Sequence, residues 1–279
     1  MSSRLAKLMK AVWQAGRGVA HVVPKQLTLD WGDRWTAHND VLDEQLRHGE
    51  TPDAGELAVL RGYLRQSMIV LDVGAHHGYY SLFMAKVLGP SGTVIAIEPS
   101  PREQERLYRH IRMNGYTNVR VLETAVGAAD GEAVFHVCRG RETGCNSLRP
   151  PAVSEETEAV TVPVTTLDAI TGEYVTDQPV DFIKLDVEGG ELDVLKGSSS
   201  VLSRDPRPVL LVELVDLRTA GWGYRSSEIY EYLACIGYTW FEVLPEGRLA
   251  PKSRSEHYHQ NLIALPEERR QMFDPGLFT

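Results

Sequence analysis

Apolar runs of five or six residues recur along the chain, and the segments between them carry apolar positions three or four apart. Met68 to Val73, Thr93 to Glu98, Val119 to Glu123, Asp181 to Val187 and Pro208 to Glu213 are such runs, and they predict strands of a mainly parallel sheet buried on both faces. Leu57, Leu60 and Leu64 mark a helix over Glu56 to Arg65 that leads into the first of them. Further helices are predicted over Ser81 to Leu88, Glu103 to Met113, Glu191 to Leu202 and Ser227 to Ile236. Gly89-Pro90-Ser91-Gly92 and Asn114-Gly115 supply the stops for the first two of these. Strands near Thr239 to Leu244 and Asn261 to Leu265 close the series. Alternating strands and helices of this kind predict a three-layer α/β sandwich, mostly parallel, with a reversed last strand.

The rhythm breaks twice. Glu132 to Arg139 and Ala159 to Leu167 alternate apolar and polar positions at period two, as an antiparallel pair does. Between them Gly140 to Glu158 is rich in Gly, Pro, Ser and Glu, and its length suits a binding loop or lid over the substrate mouth. The other break is the N-terminus. Leu5, Leu8, Met9, Val12 and Trp13 fall at helical spacing among Arg4, Lys7, Lys10 and Arg17, which predicts an amphipathic helix packed on its own domain or across a homodimer. Trp31 and Trp35 either cap the substrate mouth or pack in the core. The expected organisation is a helical extension over 1–52 and a catalytic domain over 53–279, with an inserted hairpin and lid at about 132–167.

Candidate chemistry begins where the first strand ends. Val70-Leu71-Asp72-Val73-Gly74-Ala75-His76-His77-Gly78 runs straight into Tyr79-Tyr80-Ser81, and the second strand ends Ile97-Glu98-Pro99. A strand, a tight glycine turn, a helix and a second strand with an acid at its tip place a nucleoside at the carboxyl edge of a parallel sheet. A dinucleotide loop needs glycine in the middle, so that the backbone can approach a pyrophosphate. Here that position is His76, and Asp72 just upstream would repel a pyrophosphate. A ligand with an ammonium group and no phosphate fits better, and S-adenosylmethionine is such a ligand. Asp72 would hold the turn and the methionine end, while Glu98 would accept from both ribose hydroxyls. The predicted cofactor set is Asp72, Gly74, Ala75, His76, Gly78, Tyr79, Ser81, Glu98, Pro99, Ser100, Ala125 and Asp186.

Composition narrows the partners. The formal charge of −9 over 279 residues argues against a broad nucleic-acid surface. No apolar run reaches the ~18 residues that a membrane span needs. Three cysteines, Cys138, Cys145 and Cys235, show no paired zinc spacing and suggest a reduced, cytoplasmic protein.

A second group of acids lies in Ile183-Lys184-Leu185-Asp186-Val187-Glu188-Gly189-Gly190-Glu191. Glu191 opens a helix, where a carboxylate is favoured by the backbone dipole alone. Asp186 and Glu188 lack that explanation, and with Glu213 at the next strand tip they share an edge with Asp72 and Glu98. These three are the catalytic candidates, placed to take a proton from an acceptor hydroxyl. His257 and His259 precede the final strand and are weaker candidates for the same pocket. A divalent metal held by Asp186 and Glu213 is compatible with this pattern but not favoured, because local spacing fixes no third oxygen ligand. The expectation is therefore no metal.

Leu71-Asp72-Val73-Gly74-Ala75 with Gly78, Glu98-Pro99, Thr166-Leu167-Asp168, and Ile183 to Gly189 followed by Val194-Leu195-Lys196-Gly197 resemble the FkbM family of methyltransferases. Asn146-Ser147-Leu148 in the long loop is a further point of similarity, and the resemblance covers roughly residues 55 to 265. It implies a class I Rossmann-like fold, S-adenosylmethionine as methyl donor, and methylation of a hydroxyl on a sugar or natural-product intermediate. An amine or carboxylate acceptor on the same fold is the alternative. A nicotinamide-dependent reductase and an inactive nucleoside-binding module are more distant ones.

Overall fold

The structure, a computed structural model, describes residues 25–175 and 178–279. A hairpin, β1 (Lys25–Thr28) with β2 (Arg34–Ala37), and a short helix α1 (Val41–Arg47) precede the main domain. The amphipathic segment at residues 4–17 and its homodimer contact lie outside the described residues.

The central sheet is built from β3 (Ile69–Val73), β4 (Thr93–Ile97), β5 (Val119–Leu122), β9 (Phe182–Leu185), β10 (Val209–Val215), β11 (Tyr238–Val243), β12 (Leu249–Pro251) and β13 (His259–Pro266). Its order is β12-β11-β13-β10-β9-β3-β4-β5. The five strands from β5 to β10 run parallel, and β13 lies antiparallel to β10, so the sheet is mostly parallel with a reversed last strand. One further short strand, β12, pairs antiparallel with β11 at the edge.

Helices cover both faces, and the strands show why. In β3, β4, β9 and β10 most successive residues are apolar and buried, so alternate side chains feed two cores. Val70, Val94, Phe182 and Leu211 face α2 (Ala54–Tyr63), α3 (Tyr79–Leu88) and α4 (Pro101–Asn114). Leu71, Ile95, Ile183 and Leu210 face α5 (Leu167–Tyr174), α6 (Glu191–Lys196), α7 (Ser199–Ser203) and α9 (Ser226–Cys235). A single turn, α8 (Asp216–Thr219), follows β10. The result is the three-layer α/β sandwich.

The predicted helix over Glu191 to Leu202 is instead α6 and α7, broken at Gly197. A Cβ on Gly197 would collide with the Gly127 carbonyl, so a neighbouring backbone sets the break. Asp168 then caps α7, its carboxylate accepting from the N–H groups of Ser200 and Val201 at 2.9–3.0 Å. The antiparallel pair forms as β7 (Gly131–Cys138) and β8 (Thr157–Thr165), and a two-residue β6 (Ala125–Val126) joins it to make a small separate sheet.

Candidate active site

Parallel strands present their carboxyl ends on one edge, and a cleft of about 1050 Å³, open mouth included, lies there. One end is the glycine turn after β3. Gly74 has φ +82, and a Cβ on it would collide with the Asp186 carbonyl, so only glycine lets the two turns approach. Asp72 is fully buried. Its Oδ2 accepts from Ser81 Oγ at 2.5 Å, while Oδ1 has no partner among the described residues. Burial pushes the Asp72 carboxyl above its usual range, against the pull of Lys184 and Ser81.

Glu98, only 4% exposed, accepts from the backbone N–H of His76 and of Ser100, each at 2.8 Å. Burial raises it to about 8, and the two backbone bonds pull the other way. Each oxygen keeps a lone pair for a further donor. These two acids, one with an unpartnered buried oxygen, fit a nucleoside with ribose hydroxyls and an ammonium group.

Of the expected cofactor residues, Asp72, Gly74, Ala75, His76, Tyr79, Glu98, Pro99, Ala125 and Asp186 all line the cleft. Gly78, Ser81 and Ser100 stand behind its wall and shape it: Gly78 turns the chain at φ +90, Ser81 holds Asp72 and Ser100 holds Glu98.

The other end of the cleft holds the second acid group. Asp186, Glu188 and Glu213 each offer an oxygen within 4.8 Å of the others. Glu213 is not at a strand tip as expected; it lies within β10, opposite Asn261 of β13. Its side chain joins the cluster from behind the cleft wall and is not among the lining residues. Asp186 Oδ2 is 2.9 Å from Lys184 Nζ, and Glu188 Oε2 is 2.7 Å from Arg218 Nε, a charge contact without an aligned hydrogen bond. Glu213 Oε2 has no hydrogen-bond partner among the described residues. Burial and neighbouring acids raise Glu188 to about 8 and push Glu213 well above the usual range. Lys184 stays charged: burial disfavours its cation, but Asp186 and Asp72 more than compensate. Three acids this close could hold a hard cation, yet two of them already have a side-chain cation each.

Glu188 adopts a left-handed backbone, φ +58, between two neighbours. Ser147 Oγ donates to its carbonyl at 2.9 Å, and Trp222 Nε1 approaches the same oxygen at 3.3 Å. Thr143, Gly144, Asn146 and Leu148 of the long loop line the cleft, so the loop does reach the site. Glu191 stiffens the turn by accepting from Val187 N and Gly189 N at 3.0 and 3.1 Å. His257 is an exposed side chain and His259 is exposed as well, and neither lines the cleft. Trp35 is fully buried in the core. Sequence reasoning missed Lys184, Arg218 and Trp222; the first sat within a quoted motif, in β9 and two residues before Asp186.

A mostly parallel three-layer sandwich with a glycine turn after one strand and an acid at the tip of the next has the layout of a nucleoside-binding methyltransferase domain. The sequence profile described as "Methyltransferase FkbM domain" matches residues 72–239, more than half of the chain, and the protein belongs to that family. Methyltransferase 1 of Beauveria bassiana is 27% identical over 143 residues, 46% of this chain and 57% of that protein. Methyltransferase sdnD of Sordaria araneosa is 28% identical over 160 residues, 48% and 61% respectively. A protein-L-isoaspartate O-methyltransferase of Ignicoccus hospitalis is 34% identical over 103 residues, 36% and 48%. The matches span about half the length of these relatives. Among solved structures, a putative O-methyltransferase from Klebsiella pneumoniae superposes with a TM-score of 0.48 at 13% identity, covering 93% of this chain and 96% of that one.

Proposed function

We propose that the protein methylates a hydroxyl oxygen of a small molecule, a sugar or a natural-product intermediate, with a carboxylate of the second acid group taking the proton. The observation that carries this reading is the convergence of Asp186, Glu188 and Glu213 within 4.8 Å, the first two lining the same cleft as Asp72 and Glu98 and Glu213 lying behind them. S-adenosylmethionine, when bound, supplies an electrophilic methyl group. Asp72 and Glu98 hold the donor end, and aligned positioning of two reactants can remove on the order of 7 kcal/mol from a barrier. Lys184 lies 2.9 Å from Asp186 and Arg218 2.7 Å from Glu188, so each of these acids has a cation beside it. Glu213 has an oxygen with no hydrogen-bond partner among the described residues and is pushed above its usual range by burial and the neighbouring acids; when deprotonated it receives the acceptor's proton at its carboxylate. A general base of this kind contributes roughly 10²–10⁴-fold.

The acid cluster also bears on the acceptor. A carboxylate acceptor would add a fourth acid to a cluster that already raises Glu188 and Glu213, which favours a neutral hydroxyl over the carboxyl alternative. The test is a panel of neutral polyols and sugars, primary amines and carboxylates, incubated with methyl-labelled donor. Label on hydroxyl compounds, lost on Glu213→Gln, supports the reading. Label confined to amines, and indifferent to that substitution, overturns it.

A further inference from the structure

His110 lies on α4, outside the cleft, and is fully buried. Its ring is stacked on Trp35, with centroids 3.9 Å apart and planes 23° apart. Both nitrogens are engaged by backbone. Thr36 N–H of β2 donates to Nε2 at 3.0 Å, and Nδ1 is 2.8 Å from the carbonyl oxygen of His77. A neutral imidazole has one donor and one acceptor, so only the Nδ1–H tautomer satisfies both partners. Burial, the largest influence, brings His110 down to about 4, which keeps the ring neutral.

The carbonyl it holds belongs to the donor loop. His77 follows His76, whose left-handed backbone (φ +51) aims its N–H at Glu98 Oε2. A non-glycine residue in that conformation stays there only when its surroundings fix it. Around the ring, Trp35 Nε1 donates to Asp43 Oδ1 at 2.7 Å, and Arg106 reaches Asp40 and Asp43 at 2.7 Å each. The segment before residue 53 is thereby anchored to the back of the donor loop.

We propose that His110 is a positioning residue for the donor site: bridging Thr36 N–H and the His77 carbonyl, it fixes the loop that orients Glu98. The proposal rests on this cleft binding the donor, and S-adenosylhomocysteine is the probe. An Asn side chain places an amide N–H near the Nδ1 position and keeps the bond to His77. A Gln side chain places its oxygen near Nε2 and keeps only the bond to Thr36. Calorimetry on the full chain should show roughly tenfold weaker binding for His110→Gln, which leaves the His77 carbonyl unpaired, and at least as much for His110→Phe, which leaves Thr36 N–H unpaired as well. His110→Asn should retain most of the affinity. A core substitution away from the loop, Leu249→Ala, should lower the melting temperature and leave affinity unchanged. Nitrogen-15 NMR of the wild-type histidines decides the bridge even if a variant fails to fold, because an Nδ1–H tautomer is required. An Nε2–H tautomer, or Gln and Phe variants binding like wild type, would overturn the proposal. A wild type that binds no S-adenosylhomocysteine while His110 shows the Nδ1–H tautomer would instead strike the donor assignment.

Discussion

Above about pH 8, where the carboxylate is ionised, replacing Glu98 by Gln removes a charge and nothing of the side chain's shape, so its effect is calculable. In the wild type both carboxylate oxygens accept a backbone N–H, from His76 and Ser100, at 2.8 Å each. A Gln amide has one oxygen, and its NH₂ must face the other backbone donor. That leaves one buried N–H unpaired, at about 1–3 kcal/mol. A ribose hydroxyl that donated to a carboxylate loses a charged acceptor as well, worth about 1.5–3 kcal/mol. If roughly half of the first cost is also present in the free variant, S-adenosylhomocysteine affinity falls by about 3 kcal/mol, or on the order of 10²-fold. The pH dependence carries a sign. Glu98 sits at about 8, raised by burial, so the free site holds a proton below that pH. Ribose hydroxyls need the ionised form, so wild-type affinity should rise with pH up to about 8 and then level, falling at most tenfold per unit below. By the same linkage, the free protein gains stability from this group below the unfolded value near 4.5 and loses it as pH rises through about 8. Isothermal titration calorimetry from pH 6 to 9 reads both quantities. A pH-independent wild type with Glu98→Gln within twofold of it would refute Glu98 as the ribose acceptor.

Other substitutions probe the turns and the acid cluster. Gly74→Ala puts a Cβ into the Asp186 carbonyl at a φ of +82, and should lower the melting temperature sharply or prevent soluble expression. Arg218→Gln removes the cation beside Glu188; its thermal-stability deficit should widen as pH rises through about 8, where Glu188 ionises. Exhaustive EDTA dialysis should leave methyl transfer intact, since Lys184 and Arg218 already balance two of the three acids. Loss of activity restored by Mg²⁺ or Mn²⁺ would refute that.

Much of the donor half was legible because it depends on local sequence. Asp72, the glycine turn and Glu98 lie within one strand-turn-helix-strand unit, and apolar runs buried on both faces mark its strands plainly. The acceptor half depends on contacts between distant segments. Arg218 follows β10 yet pairs with Glu188 after β9, and Ser147 reaches the same residue across 41 positions. No periodicity reports such pairings. Glu213 was found for its strand but misplaced along it, since Leu214 and Val215 continue β10 through pairing with β13. His110 was hidden in an ordinary helical pattern. Only the approach of β2, brought by a separate hairpin, gives its two nitrogens their partners.

A crystal structure with S-adenosylhomocysteine bound tests the central claim most directly. The predicted result is a ribose with both hydroxyls on the Glu98 carboxylate, the amino-acid end at Asp72, and the sulfur facing Asp186 and Glu188. A nucleoside outside this cleft, or one whose ribose makes no contact with Glu98, would contradict it.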